Sequence, residues 1–274
     1  MRWNRGCESG PVPVCRPRPA AAYHELVAGA DVIFFTTCIV DSVSAGVGRA
    51  AVRVLERLGH RVTLAPDATC CGQPAWNSGF GAEAARVART TLRALEAGGD
   101  GLVCLASGSC ATMMRVYWPE MFRIAGDPEA AARAERLASR VVEFSELVAG
   151  GTPLPGRLSK RVAFHRSCHM TRELGIIDQP TRLLDGLEGC RRVAWADDLC
   201  CGFGGTFAVK QPEISVAMAD AKIDSLLASG AEMVVGCDQS CLLHLEGRMR
   251  RRGVGLPVRH LAVVLDEAME SAAR

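Results

Sequence analysis

Aromatic residues and lysine are scarce in this chain. Phe, Trp and Tyr make up 5% of its 274 residues, and only three of the 32 basic side chains are lysine. The 30 acidic residues leave a formal net charge of +2. So balanced a chain carries no nucleic-acid footprint and no charged membrane-surface helix. Its 29 arginines read as a compositional habit rather than a binding signal. No stretch approaches the roughly 20 apolar residues of a membrane-spanning helix, the longest apolar run lying around Val32 to Val40. The first 30 residues hold no apolar core of signal-peptide type. No Gly-x-Gly-x-x-Gly follows a strand pattern, which removes the usual dinucleotide fingerprint. A soluble protein of a reducing, cytoplasmic compartment is expected.

What is abundant is cysteine, with 13 residues. Two segments, Cys70-Cys71-Gly72 and Cys200-Cys201-Gly202, are near-copies. Cys38 precedes the first by 32 positions, and Cys168 precedes the second by 32. Cys110 follows Cys71 by 39 positions, and Cys241 follows Cys201 by 40. The same four-thiol set therefore occurs twice. An offset of 130 pairs Val32 with Val162, Phe34 with Phe164 and the upstream cysteines with each other; one inserted residue then carries the match to Ser109–Ser240 and Cys110–Cys241.

The pattern around the thiols is strand, loop, helix, repeated. Apolar β-rich runs at Asp31 to Phe35, Val62 to Leu64 and Gly101 to Leu105 read as strands. Ser44 to Leu58 reads as a helix with Val47, Ala51, Val54, Leu55 and Leu58 on one face and Gly59 as its stop. Glu83 to Leu95 reads as another, with Ala84, Val87, Thr91 and Leu95 in register. Asp127 caps a third, with Pro128 at its first position. The second half repeats this with strands at Arg161 to His165, Arg192 to Trp195 and Ala231 to Gly236. Its helices run over Gln179 to Leu187, Pro212 to Leu227 and a closing segment from Leu261. The expected fold is α/β, with two pseudo-twofold-related, Rossmann-like parallel-sheet domains. Residues 1–30, rich in Pro and Arg, read as a disordered extension. Residues 31–150 form the first domain, 151–160 a Gly/Pro linker and 161–274 the second domain.

Every repeated cysteine falls just after a strand, where such sheets gather their sites. Helix N-termini there favour thiolates. The candidate ligands are thus Cys38, Cys70, Cys71, Cys110 and Cys168, Cys200, Cys201, Cys241. Cys237, Ser107 and Asp238 are weaker candidates, with helix capping the alternative for Ser107 and Asp238. Cys7, Cys15, Cys104 and Cys190 fall outside the repeat. Thiolate-only ligation points to iron–sulfur or zinc. Zinc ligands usually come in tight Cys-x2-Cys knuckles, whereas these are spread over some 70 residues, so iron–sulfur is preferred and zinc remains the competitor. His165 and His169 flank Cys168 and are candidates for proton transfer, for hydrogen bonding to the site or for metal ligation. Trp76, Asn77, Phe203, Phe207 and Lys210 are candidate pocket residues. Arg166 or Arg172 could bind a carboxylate. Arg248 and Arg250 to Arg252 read as a solvated face, or else as a docking patch.

These motifs resemble the duplicated cysteine-rich (CCG) domain found in heterodisulfide reductases and in glycolate oxidase iron–sulfur subunits. The text around them is closer to the lactate utilization protein A family. The carrying segments are Cys70-Cys-Gly-Gln-Pro-Ala-Trp-Asn-Ser-Gly79, Ser107-Gly-Ser-Cys110, His165-Arg-Ser-Cys-His-Met-Thr-Arg172 and Cys200 to Lys210. The resemblance implies a component of an L-lactate-oxidising system that yields pyruvate. It implies one [4Fe-4S] cluster in each domain, with zinc the other occupant to consider at one site. In the heterodisulfide reductase pattern a Cys-x-x-Cys ends each set, giving five thiols; here its first member is Ser107 or Asp238, so four remain. No Cys-x2-Cys-x2-Cys-x3-Cys-Pro run is present, which assigns further electron transfer to separate iron–sulfur (ferredoxin-type) and accessory subunits. The small 2-hydroxy acid would bind on that complex. A thiol/disulfide oxidoreductase and a zinc-bound scaffold are the competing readings.

Overall fold

The computed structural model describes residues 29–272. Cys7, Cys15 and the extension expected over residues 1–30 lie outside it, save Gly29 and Ala30. Four parallel strands form the first sheet: β1 (Asp31–Phe34), β2 (Arg61–Leu64), β3 (Leu102–Leu105) and β4 (Val141–Glu143), in the order β2-β1-β3-β4. The second sheet holds β5 (Arg161–His165), β6 (Arg191–Arg192), β7 (Met233–Gly236) and β8 (Val258–His260) in the order β6-β5-β7-β8. The registers repeat as the sequence offset requires, Val32 pairing with Leu102 in one sheet and Val162 with Met233 in the other. Parallel neighbours need crossover helices, and the alternation of strand and helix patterns supplies them.

The first half carries α1 (Cys38–Val43), α2 (Ala45–Arg57), α3 (Gln73–Trp76), α4 (Gly81–Ala97), α5 (Gly108–Thr112), α6 (Trp118–Ile124), α7 (Pro128–Ala138) and α8 (Phe144–Ala149). A π-helical turn, Met113–Tyr117, joins α5 to α6. The second half carries α9 (Cys168–Arg172), α10 (Asp178–Asp185), α11 (Phe207–Lys210), α12 (Pro212–Ala228), α13 (Gln239–Arg251) and α14 (Leu261–Ala272). Helix α2 buries Val47, Ala51, Val54 and Leu55 as its spacing predicts, and Leu58 is only partly covered. It stops where Gly59 turns to φ 86°, letting the His60 N–H reach Leu55 O at 3.1 Å. In α4 the buried face is Ala84, Ala88, Thr91, Leu92 and Leu95, and Val87 is exposed. Asp127 caps α7 by accepting the Ala130 N–H at 3.0 Å.

Two departures from the sequence pattern matter. Strands β4 and β8 are three residues each and carry no period of their own; their place in the sheet comes from pairing with β3 and β7. The strand expected over 192–195 ends at Arg192, because the chain turns away so that the Trp195 indole can donate to Phe164 O at 2.9 Å.

The halves interlock. Helix α14, at the end of the second half, packs on α2 of the first, and α8 packs on α10. Asp266 on α14 is nearly buried and accepts from both Arg53 and Arg57 of α2, the latter at 2.8 Å. The segment over 151–160 is tied to the second half by Leu158 N–H to Glu188 O and Glu188 N–H to Gly156 O, both 2.9 Å. Asp266→Ala removes the carboxylate partner of Arg53 and leaves Arg57 only its ion pair with Glu270 at 3.2 Å. A loss of about 1–3 kcal/mol is expected in urea denaturation of the metal-free chain. An unchanged midpoint would mean that the Asp266 ion pairs contribute nothing to the seam.

Candidate metal centres

Three strand ends in each half deliver the thiols, those of β2 and β6 two apiece. Cys38 and Cys168 are the first residues of α1 and α9, directly after β1 and β5. Cys110 and Cys241 lie in the first turns of α5 and α13, directly after β3 and β7. The double cysteines sit in the loops after β2 and β6. In the first half Cys38 Sγ lies 3.7 Å from Cys70 Sγ, and Cys71 Sγ lies 3.4 Å from Cys110 Sγ. In the second, Cys201 and Cys241 sulfurs are 3.0 Å apart.

The double-cysteine loops are held by the same two devices in both halves. The first is a glycine. Gly72 (φ 84°) and Gly202 (φ 87°) are left-handed, and a Cβ there would lie 2.8 Å from Ala84 O and 2.5 Å from Ser215 O. The second is a polar group on the buried face of the next helix. Thr91 Oγ1 accepts from the Thr69 and Cys70 N–H groups (3.1 and 3.2 Å) and donates to Cys70 O at 2.9 Å. Its repeat partner, Lys222, is fully buried and donates to Ala196, Asp197 and Leu199 carbonyls at 2.7, 3.1 and 2.7 Å. Burial lowers its ammonium to about 8, and its Nζ stands 4.4 Å from the Trp195 ring centroid. Thr91 was legible only as a helix-face residue, and Lys222 carried no motif. The signal available was two polar residues at equivalent core-facing positions.

The thiols share their protons unevenly. Hydrogen bonds from Cys38 and Cys71, with the Gly72 N–H, pull Cys70 down to about 3. Hydrogen bonds from Cys168 and Cys201 pull Cys200 down to about 2. Cys38, Cys71, Cys168 and Cys201 move the other way, since each donates a hydrogen bond to a neighbouring sulfur and partial or full burial adds to the rise. One thiolate per set is thus favoured by the protein alone, and these four sulfurs need a cation before they ionise.

Both sets face one cavity of about 370 Å³, lined from the two halves by Cys38, Cys71 and Cys110 and by Cys168, Cys200, Cys201 and Cys241. Ser107, Asp238, His169, Asn77 and Phe203 also line it, whereas Cys237, His165 and Trp76 do not. Ser107 caps α5, accepting the Cys110 N–H at 3.4 Å. Asp238, expected to cap its own helix, does not: its carboxylate crosses to the first half and accepts from the Ser109 N–H at 2.9 Å and the Ser107 hydroxyl at 3.5 Å. Burial would raise this carboxyl, but the hydrogen bonds from Ser109 and Ser240 outweigh it and keep it low. Across the cavity rim, Ser78 and Thr206 hydroxyls meet at 2.5 Å and Lys210 lies 5.6 Å from the Phe80 ring centroid.

His165 ends β5, is 1% exposed, and has no hydrogen-bond partner on either ring nitrogen. Burial holds its imidazole down at about 3. His169 lies beside Cys168, Nδ1 to Sγ 3.7 Å. Cys237 and Cys104 are fully buried, and Cys190 is half-buried. Arg166 pairs with Asp197 at 2.9 Å, and Arg248 and Arg252 pair with Asp220, as a solvated helix face requires.

In the metal-free protein, brief alkylation at pH 6 is expected to label Cys70 and Cys200 first, since their thiolates persist far below the ordinary thiol range. Equal labelling of Cys38 and Cys168, read by mass spectrometry, would contradict the proton sharing. Lys222→Met leaves three loop carbonyls unpaired, and a loss of at least about 1–3 kcal/mol is expected in thermal unfolding; no loss would show that the loop keeps its shape without the ammonium.

The family described as the cysteine-rich domain, CCG, matches residues 32–115 and again 162–246, one span over each thiol set. Lactate utilization protein A of Exiguobacterium sp. is 41% identical over 246 residues, covering 88% of this chain and 99% of its own. The protein of the same name from Macrococcus caseolyticus is 40% identical over 244 residues (88% and 98%), and lactate utilization protein A 2 of Bacillus cereus is 38% identical over 243 (87% and 98%). Among solved structures, a hypothetical protein from Helicobacter pylori superposes with a TM-score of 0.61 at 10% identity, over 93% of this chain and 55% of that one, which is a likeness of fold. With its duplicated cysteine-rich domain and its full-length relatives, the chain belongs to the lactate utilization protein A family.

Proposed function

We propose that this chain is an electron-carrying component of an L-lactate-oxidising system, with one iron–sulfur cluster held by Cys38, Cys70, Cys71 and Cys110 and a second by Cys168, Cys200, Cys201 and Cys241. The observation that carries the reading is two sets of four thiols gathered from separate loops, all but Cys70 lining a common cavity, in a chain whose relatives are named for lactate utilization. The donor set suits the group: all-sulfur, half of it buried and half partly covered, next to helix N-termini that favour negative charge. Bound there, such a cluster supplies a one-electron carrier. The protein's share is to hold the thiols through Gly72, Gly202, Thr91 and Lys222, and to shield the site with Phe203 and Trp118, whose indole donates to Cys71 O at 2.8 Å.

Oxidation of a 2-hydroxy acid to a 2-oxo acid releases two electrons and two protons. On this reading the acid binds on the assembled complex, a cytoplasmic one, and separate iron–sulfur and accessory subunits exchange electrons with this chain. Among the described residues no helix is long and apolar enough to cross a membrane.

Zinc is a second reading with an observation of its own. Four thiolates around one ion at 2.3 Å bonds stand about 3.8 Å apart, close to the 3.4 and 3.7 Å separations in the first half. A cluster requires those sulfurs to spread farther apart. Anaerobic reconstitution with ferrous iron and sulfide is expected to give equimolar iron and acid-labile sulfide and an EPR signal on reduction. Cys71→Ser and Cys201→Ser are each expected to remove about half of the iron. Zinc bound without iron would overturn the electron-transfer reading, and gene loss that leaves growth on L-lactate untouched would remove the substrate.

A further inference from the structure

We propose that His165 is a ligand to the metal group of the second half, giving that site a nitrogen donor that the first half does not have. The inference rests on the metal-binding reading of the thiol sets; because four protein donors fill a tetrahedral ion or a four-iron cluster, the imidazole would stand in place of one of the set's other two thiols, Cys168 or Cys200.

The imidazole is buried at the carboxyl end of β5, the same strand end that delivers Cys168. Neither ring nitrogen has a hydrogen-bond partner. A buried imidazole left so is unusual, because buried polar atoms almost always find partners. Its coordinating atom and the sulfurs of Cys201 and Cys241 all lie within 4.8 Å of one another, and all three residues are buried. A metal bonded to nitrogen at about 2.0–2.1 Å and to sulfur at about 2.3 Å needs the imidazole to move in toward the sulfurs, and the two sulfurs, 3.0 Å apart, to spread.

Packing does not explain the ring. Under the 130-residue offset the equivalent of His165 is Phe35, 0% exposed at the end of β1. The fold therefore accepts an apolar ring at this place. An imidazole with two idle nitrogens beside two thiols makes sense as a donor. Trp195 steadies the ring, its centroid 6.5 Å away and edge-on, and is itself fixed by its bond to Phe164 O and by the Lys222 ammonium. The two halves, alike in their thiols, are then unlike in their metal groups. A neutral nitrogen donor stabilises the reduced form more than thiolates do, so the second group would be the more easily reduced of the two.

The test uses the full chain carrying 15N-labelled histidine, reconstituted with ferrous iron and sulfide and reduced. Pulsed EPR is expected to show a histidine nitrogen coupling that disappears in His165→Phe, the first half's own residue, and persists in His169→Ala. One of the two reduction steps is expected to shift in His165→Phe while the other stays. Were His165→Phe to misfold, as judged by circular dichroism, His165→Cys replaces it and is expected to keep iron and lose the coupling. Iron bound with no histidine coupling, or a coupling that survives in His165→Phe or His165→Cys, overturns this inference alone. Absence of any bound metal overturns it together with the reading beneath it.

Discussion

Sulfurs packed together in an apolar site cannot all be thiolates without a positive partner. Within each set the protein stabilises a single charge, on Cys70 or Cys200, by letting its neighbours donate protons to it. Cys38, Cys71, Cys168 and Cys201 are held protonated by that sharing and by burial. A soft cation removes the conflict, since it replaces several protons at once. Much of the local structure serves this crowding. The left-handed glycines exist because a Cβ would strike the following helix, and the Thr91 and Lys222 pins exist because the loops carrying the double cysteines have few backbone partners of their own.

Duplication turns one such site into two that face each other. The seam is made of helices that pack across it and of polar bonds that cross it: Asp266 to α2, Asp238 to Ser109, Ser78 to Thr206. Asp238 occupies the position where a thiol would stand in the five-thiol pattern. It faces the shared cavity and binds the backbone beside Cys110, so its carboxylate couples the second half to the loop of the first. A cavity lined by both sets, rather than two separate pits, is the outcome.

The repeat itself is legible because eight cysteines recur at matching offsets, which marks both thiol sets without any knowledge of the fold. Longer helices were equally legible, α2 and α4 showing their buried faces through spacing. Strands β4 and β8 were not, since three residues carry no period and depend on a neighbour for their hydrogen bonds. Helices α1, α5 and α9 were hidden for a similar reason. They are a turn or so long, and the strand end and thiol loop set them rather than propensity.

By itself, then, the sequence determined the α/β class, the internal twofold, the eight thiols and the family, because each depends on spacing or residue identity along the chain. Tertiary structure alone decided how the halves meet. It laid α8 and α14 across the seam, sent the Asp238 carboxylate to the opposite half, merged the two sites into one cavity, and set His165 beside Cys201 and Cys241. Those outcomes depend on contacts between residues far apart in the chain, which no local period or motif encodes.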